Sequence, residues 1–363
     1  MTGWLRRFAP LLAVLLCAAA GPPAERLAVL QRGINITNWF RFPASHDPAA
    51  LHGYVGDNAL EHLRRIGFTF VRLPVQPELL ADASMRDALQ AAIVRIERQR
   101  LGALVVLHPP AWHLETSEAD RAALLASWRV LAPLLGRFDP ALTFPELLNE
   151  PVFANAADVW RGLQHQVLMQ VRRALPPNTI VLTGNTWGGI DGLLAMVPDA
   201  DSNVVYSVHL YEPAELTSLA AWRSDVDRTL LERLPFPVAD VAACEALAES
   251  ADSATGGVIG FYCRERWDAA RVAARIDAAA GWARANGTAL LAGEFGATVR
   301  LNAPARQAWL AAVRRACEHA SIGWALWGYD DIMGFAMPRP PHDRTDLDPG
   351  TLRALFPAAI LQK

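Results

Sequence analysis

Eight short apolar runs, separated by longer stretches of helical periodicity, constrain this chain more than any other feature of its sequence. Strands that alternate with helices pair in parallel, because each helix carries the chain back to the starting edge of the sheet. The runs are Gly33 to Ile36, Phe68 to Val75, Ala103 to Leu107, Leu142 to Leu148, Thr179 to Thr183, Val204 to Val208, Ala289 to Ala292 and Ile322 to Trp327. Helices are predicted over Asp57 to Ile66, Pro77 to Arg100, Ser117 to Leu135, a stretch ending near Leu175, Asp268 to Asn286, and the stretch after Asn302. Ser117 with Asp120 reads as a capping box, and Asn155 as the cap of the helix that ends near Leu175. Between Ala214 and Arg266 the pattern is broken by Pro235, Pro237, Gly256 and Gly257, which reads as an insertion after the sixth strand. Eight units without a sequence repeat predict an α/β chain folded as a single (β/α)8 TIM barrel, which needs about 250 residues plus insertions. The 363 residues, 52% of them hydrophobic and 20% charged, suffice for such a core.

The first 20 residues read as a signal peptide: Arg6-Arg7, the apolar stretch Phe8 to Cys17, then Ala18-Ala19-Ala20. That stretch is too short to span a bilayer. The expectation is therefore an exported protein, periplasmic or secreted, whose mature form is one domain over residues 21–363 with no membrane attachment. An oxidising compartment permits Cys244 and Cys263, which flank a glycine-rich stretch read as a turn, to pair. Cys317 falls in an amphipathic pattern and reads as a buried thiol. A net charge of -3 offers no basic face for nucleic acid. No Cys-x-x-Cys or histidine cluster suggests a metal, and neither metal nor cofactor is expected.

A barrel of this kind builds its site at the C-terminal ends of its strands. Arg72, His108, Asn149, Glu150, His209, Tyr211, Glu294 and Trp327 all fall there. Arg72 sits within an otherwise apolar strand and needs an anionic partner. At Asn149-Glu150 an amide can hold a sugar hydroxyl while the neighbouring acid protonates a leaving oxygen. That acid needs a second carboxylate, and Glu294 ends its own apolar run in the same way.

With these residues in place the sequence resembles glycoside hydrolase family 5, the cellulase-type barrel glycosidases, over nearly the whole mature chain. The family pattern has an arginine on the second strand, a histidine after the third, Asn-Glu after the fourth, His-x-Tyr after the sixth, a glutamate after the seventh and a tryptophan after the eighth. The resemblance implies Glu150 as acid/base, Glu294 as nucleophile and Asn149 as the group that binds the sugar 2-hydroxyl. Arg72 and Tyr211 would then favour the ionised form of Glu294, whose charge would in turn favour protonated Glu150. His108 and His209 would orient hydroxyls and carboxylates. Trp327 would offer its indole face to a pyranose, with Trp187 and Trp39 further along the cleft. Trp128, Trp160, Trp282 and Trp309 lie in helical patterns and read as core.

The sequence departs from the family at Leu107-His108-Pro109-Pro110, where an acidic residue often precedes the histidine. The segments Arg32 to Asn35 and Gly184 to Trp187 look nearer to the endoglucanase branch than to the mannanase one. The resulting expectation is a monomeric, retaining endo-β-1,4-glucanase acting on cellulose or a related glucan. Its rivals are the same mechanism on mannan, xyloglucan or a β-1,3-glucan, and a barrel that binds glycans without turnover; two carboxylates facing one bond argue against the last. The N-terminal reading has its own test. Sequencing of the exported protein should find a start near residue 21, and an exported chain that still begins at Met1 would overturn it.

Overall fold

The computed structural model describes residues 21–154 and 156–357; the leader read at 1–20 and the cap read at Asn155 lie outside them. Eight strands, β1 (Arg32–Asn35), β2 (Phe70–Val75), β3 (Gly102–Leu107), β4 (Thr143–Glu146), β5 (Ile180–Thr183), β6 (Val204–Leu210), β7 (Ala289–Phe295) and β8 (Gly323–Trp327), close into a barrel in chain order. The closing pair is parallel, with Ile34 opposite Leu326 and Asn35 opposite Trp327. A TIM barrel with an insertion after its sixth strand is therefore what the chain forms.

Almost every strand residue is buried, because one side of each strand faces the barrel interior and the other the helices. Phe70, Leu104, Val106, Phe144, Val181, Val205, Leu291 and Ala325 pack together with Leu30 as one interior cluster. A side chain at Gly33 would collide with the Phe70 ring, so glycine there leaves room for that ring. Trp324, on the outer side of β8, packs edge-on to Phe68 and Phe295. Trp128, Trp160 and Trp309 are fully buried core and Trp282 is partly buried against it.

The helix Asp57–Ile66 ends at Gly67, whose φ of 120° only glycine adopts readily. The long helix expected from Pro77 is instead a 3-10 turn, Pro77–Ala81, followed by Ala83–Arg98. Asp82 separates them, since its carboxylate accepts the Ser84 N–H and restarts the helix as a cap. Ser117 caps Glu118–Leu135 by accepting from Asp120 N at 3.2 Å. The Asp120 carboxylate does not close a box; it takes the His113 N–H at 2.7 Å.

The insertion contains short helices and the longer Ser253–Glu265. Gly256 and Gly257 lie in that helix and not in a turn, because Asp252 caps it through Thr255 N and the buried residues Val258, Ile259, Tyr262 and Cys263 form its inner face. Cys244 and Cys263 are joined by a disulfide with Cα atoms 5.7 Å apart, which ties the helix Val241–Glu245 to it. Cys317 is a free, buried thiol in the helix Ala303–His319.

The disulfide closes a loop of 19 residues, for which chain entropy gives about 3 kcal/mol. Replacing both Cys244 and Cys263 with serine should lower the unfolding free energy by up to that amount, seen as a lower denaturant midpoint, while leaving the barrel folded. An unchanged unfolding curve under non-reducing conditions would show that the bond braces nothing.

Candidate active site

The mouth of the barrel is organised by Arg72 in β2, a side chain with no solvent exposure. Its Nε and Nη2 donate to the two oxygens of Glu146 at 2.7 and 2.9 Å. Nη1 donates to Glu294 Oε1 at 2.5 Å and to Asn35 Oδ1 at 3.0 Å, and Nη2 reaches Asn149 Oδ1 at 3.1 Å. Burial opposes the charge, but the attraction of Glu146 and Glu294 outweighs it and raises the Arg72 pKa further.

Glu146 and Asn35 were not singled out from the sequence. Glu146 stands in the apolar run of β4 and also accepts from Thr183 Oγ1 at 3.2 Å. An acid inside one buried strand and an arginine inside a neighbour-but-one were the available clue, since each demands a partner of opposite charge. Asn35 Nδ2 donates to the carbonyls of Gly293 and Leu326, so it bridges β1 to both β7 and β8 below Glu294.

Glu294 and His209 lie within their strands, whose pairing shifts register between Val208 and His209 and again between Ala292 and Phe295. Such irregularities re-aim side chains at barrel rims. Glu294 Oε2 accepts from Tyr211 Oη at 2.9 Å and lies 3.4 Å from His209 Nδ1. The same His209 nitrogen is 2.9 Å from Glu150 Oε1. Burial works against a charged imidazole, yet Glu294 and Glu150 together raise the His209 pKa above 6.5. Burial and the same two carboxylates push the Tyr211 phenol well up, so it remains a donor.

Glu150 itself has a φ of 43°, a left-handed conformation that non-glycine residues adopt at a cost. Its side chain is 31% exposed, against 4% for that of Glu294. One oxygen from each carboxylate and a ring nitrogen of His209 lie within 4.8 Å of one another. The oxygens of this group already carry contacts from the Arg72 guanidinium, the Tyr211 hydroxyl and the His209 ring.

Asn149 is buried with its oxygen on Arg72, which fixes the amide orientation and leaves Nδ2 as the donor facing outward. Among the described residues no carboxylate bonds His108, contrary to that part of its expected role, and its Nε2 accepts from Arg41 Nε at 2.8 Å. Burial first, then the cations Arg41 and Arg72, hold its pKa well below 6.5. Trp327 stacks against His108 with ring centroids 6.2 Å apart and is 7% exposed. Trp187 is 59% exposed and held outward by a φ of 54°. Trp39 does not reach the cleft; it is fully buried, with its indole N–H on Leu51 O at 2.8 Å. The apolar body of that ring is worth more packed against Phe40 and Tyr54 than in solvent.

A cavity of about 420 Å³ opens beside Glu150, lined by His108, Trp112, Asn149 and Trp187 among others. Trp112, which the sequence did not mark, also lines it.

Comparison with known proteins agrees with this architecture. Endoglucanase 3 of Fibrobacter succinogenes is 24% identical over 335 residues, covering 84% of this chain and 50% of the relative. Endoglucanase B of Clostridium cellulovorans is 26% identical over 54% of this chain and 50% of its own length. The chain thus spans about half the length of these curated relatives. Among solved structures, endoglucanase Cel5A of Thermotoga maritima superposes with a TM-score of 0.74 at 22% identity, covering 92% of this chain and 99% of that one. The cellulose synthase subunit Z of Clostridioides difficile gives 0.69 at 20% identity, with 90% and 99% coverage. Both likenesses establish the fold. The sequence model of the cellulase family, glycosyl hydrolase family 5, matches residues 31–331, and the chain belongs to that family.

Proposed function

We propose that this protein hydrolyses β-glycosidic bonds in a polysaccharide with retention of anomeric configuration, as an endo-β-1,4-glucanase of cellulose or a related glucan. The observation that carries the reading is the proximity of Glu150 and Glu294, whose nearest oxygens fall within the 4.8 Å group around His209. A retaining pair stands about 5 to 5.5 Å apart, and an inverting pair needs roughly 6.5 Å or more to admit a water between them.

Glu294, held on one oxygen by Arg72 and on the other by Tyr211, is the fixed and ionised group and attacks the anomeric carbon. Glu150, more exposed and beside the open cavity, gives its proton to the departing oxygen. It then takes a proton from the water that releases the sugar from Glu294. Arg72 stands between Glu146 and Glu294 and binds both, while Glu150 meets only the His209 ring. Asn149 Nδ2 offers the donor for the 2-hydroxyl. Trp187 and Trp112 line the Glu150 side of the bond and provide apolar faces for the leaving sugars.

The names of the curated relatives, endoglucanases, support glucan as substrate. A mannan is the second reading, because Cel5A of Thermotoga maritima has been solved with both cellobiose and mannotriose. The leader-like residues 6–20 and the disulfide support export, and no helix among the described residues is long and apolar enough to cross a membrane. Function as a monomer completes the proposal.

Glu294→Gln should abolish turnover. Glu150→Gln should lose about 100- to 10,000-fold on unactivated glucan, yet still form the glycosyl-enzyme from substrates with good leaving groups, and azide should then capture it. Proton NMR of the first-formed product should show the retained anomer; an inverted one overturns the mechanism.

The raised pKa of His209 has a separate consequence. Its folded-state value lies above the ordinary 6.5, so its contribution to stability is full below about pH 6.5 and is lost as pH rises through the raised value. The thermal midpoint of His209→Asn should therefore fall furthest below wild type near pH 6 and converge with it at higher pH. A gap independent of pH would show that His209 is neutral in the folded protein.

A further inference from the structure

Arg41 stands on the loop that leaves β1, and nothing in the mechanism above uses it. Its guanidinium is gripped without any acid: Nε donates to His108 Nε2 at 2.8 Å, and the cation lies 4.4 Å from the Phe42 ring centroid and 5.1 Å from that of Trp327. Among the described residues neither Nη1 nor Nη2 has a hydrogen-bond acceptor, and no carboxylate lies within ion-pairing distance. Arg41 is partly exposed, whereas the buried arginines Arg72 and Arg306 spend their Nη groups on the protein.

The loop beneath it is fixed. Asp330 accepts the N–H groups of Thr37 and Asn38 at 2.7 and 3.0 Å and the Tyr54 hydroxyl at 2.5 Å. Phe40 forms a parallel bridge with Val75, and Gln76 N donates to Phe40 O at 2.8 Å. Arg41 is thus a donor fork held in place on three sides with two nitrogens unused. Burial lowers its pKa, while Glu294, Asp331 and Glu150 act on it from a distance to keep it charged. His108, neutral for the reasons given above, can accept from it without repulsion.

We infer that Arg41 is a specificity-determining residue which binds the glycone side of the substrate, its Nη1 and Nη2 donating to a pair of adjacent sugar hydroxyls beside Trp327. A planar guanidinium fork matches two neighbouring oxygens, and a side chain immobilised beforehand loses little entropy on binding them. The side of the bond follows from the geometry. The cavity assigned to the leaving sugars lies against Glu150, Trp112 and Trp187 and includes neither Arg41 nor Trp327, on whose ring Arg41 rests, while His108 stands between the two sides.

The inference rests on the proposed glucanase reading, and the experiment separates the two. An aryl β-cellobioside places two sugars on the glycone side and none on the leaving side. Arg41→Met should reduce kcat/KM on it about tenfold, equivalent to about 1.4 kcal/mol, mostly through KM. The same factor should appear with cellotetraose. Calorimetry of cellotetraose binding should show a matching loss when Arg41→Met is added to the Glu294→Gln protein. Arg41→Lys, which keeps the charge without the planar fork, should recover less than half of the effect and serves if the methionine variant fails to fold. A kcat/KM on the aryl cellobioside within twofold of wild type for both variants would overturn the assignment. So would a loss confined to cellotetraose, since that would place Arg41 on the leaving side. Failure of cellotetraose to bind the Glu294→Gln protein at all would overturn the glucanase reading itself, and this inference with it.

Discussion

The buried guanidinium of Arg72 is the interaction on which the barrel mouth depends. A cation with no solvent exposure inside β2 would be prohibitive alone, and here four side chains from three other strands and their ends satisfy it: Asn35, Glu146, Asn149 and Glu294. The consequence runs in both directions. The acids make the arginine tolerable in the core, and the arginine fixes the position of Glu294 and the rotation of the Asn149 amide. Removing one partner of such a buried pair costs about 3 to 5 kcal/mol because the other is left uncompensated. Stability and site geometry therefore rest on the same bonds.

Around that fixed centre the chain places groups that differ in exposure. Glu294 is enclosed and hydrogen-bonded on both oxygens, while Glu150 projects from a strained backbone position beside an open cavity. The asymmetry gives two chemically identical carboxyl groups different surroundings, since one is held on both oxygens by donors and the other is open to solvent. His209 couples them, since its Nδ1 faces both carboxylates.

The loops divide the cleft in a similar way. On the Glu150 side the aromatic groups are Trp112 and the exposed Trp187, held out by successive left-handed residues at Thr186, Trp187 and Gly188. On the other side Trp327 is nearly covered by His108 and Arg41, so its indole is a wall supporting a charged donor more than an open platform. The departure seen in the sequence before His108, Leu107 in place of an acid, has a structural counterpart: with no carboxylate to orient it, the imidazole is oriented by an arginine.

The barrel and the residues at its mouth are legible along the chain, because both depend on local order. Apolar runs of strand length repeat eight times between helical patterns, and polar residues that end such runs must emerge at one end of a parallel barrel. Arg72 announced its need for an anion for the same reason, since a charge within an apolar strand has no local solution. Only the tertiary structure decided which anions answered. Glu146 was hidden within a run that looked apolar, and its role appears only when β2 and β4 stand across β3 from each other. Trp39 went to the core and Trp112 to the cleft for a similar reason: whether an aromatic ring faces a cleft or a core depends on which neighbours the loops bring against it, and local pattern carries no record of that. Gly256 and Gly257, which looked like a turn, became helical because a cap at Asp252 and a buried inner face outweigh the local preference of two glycines.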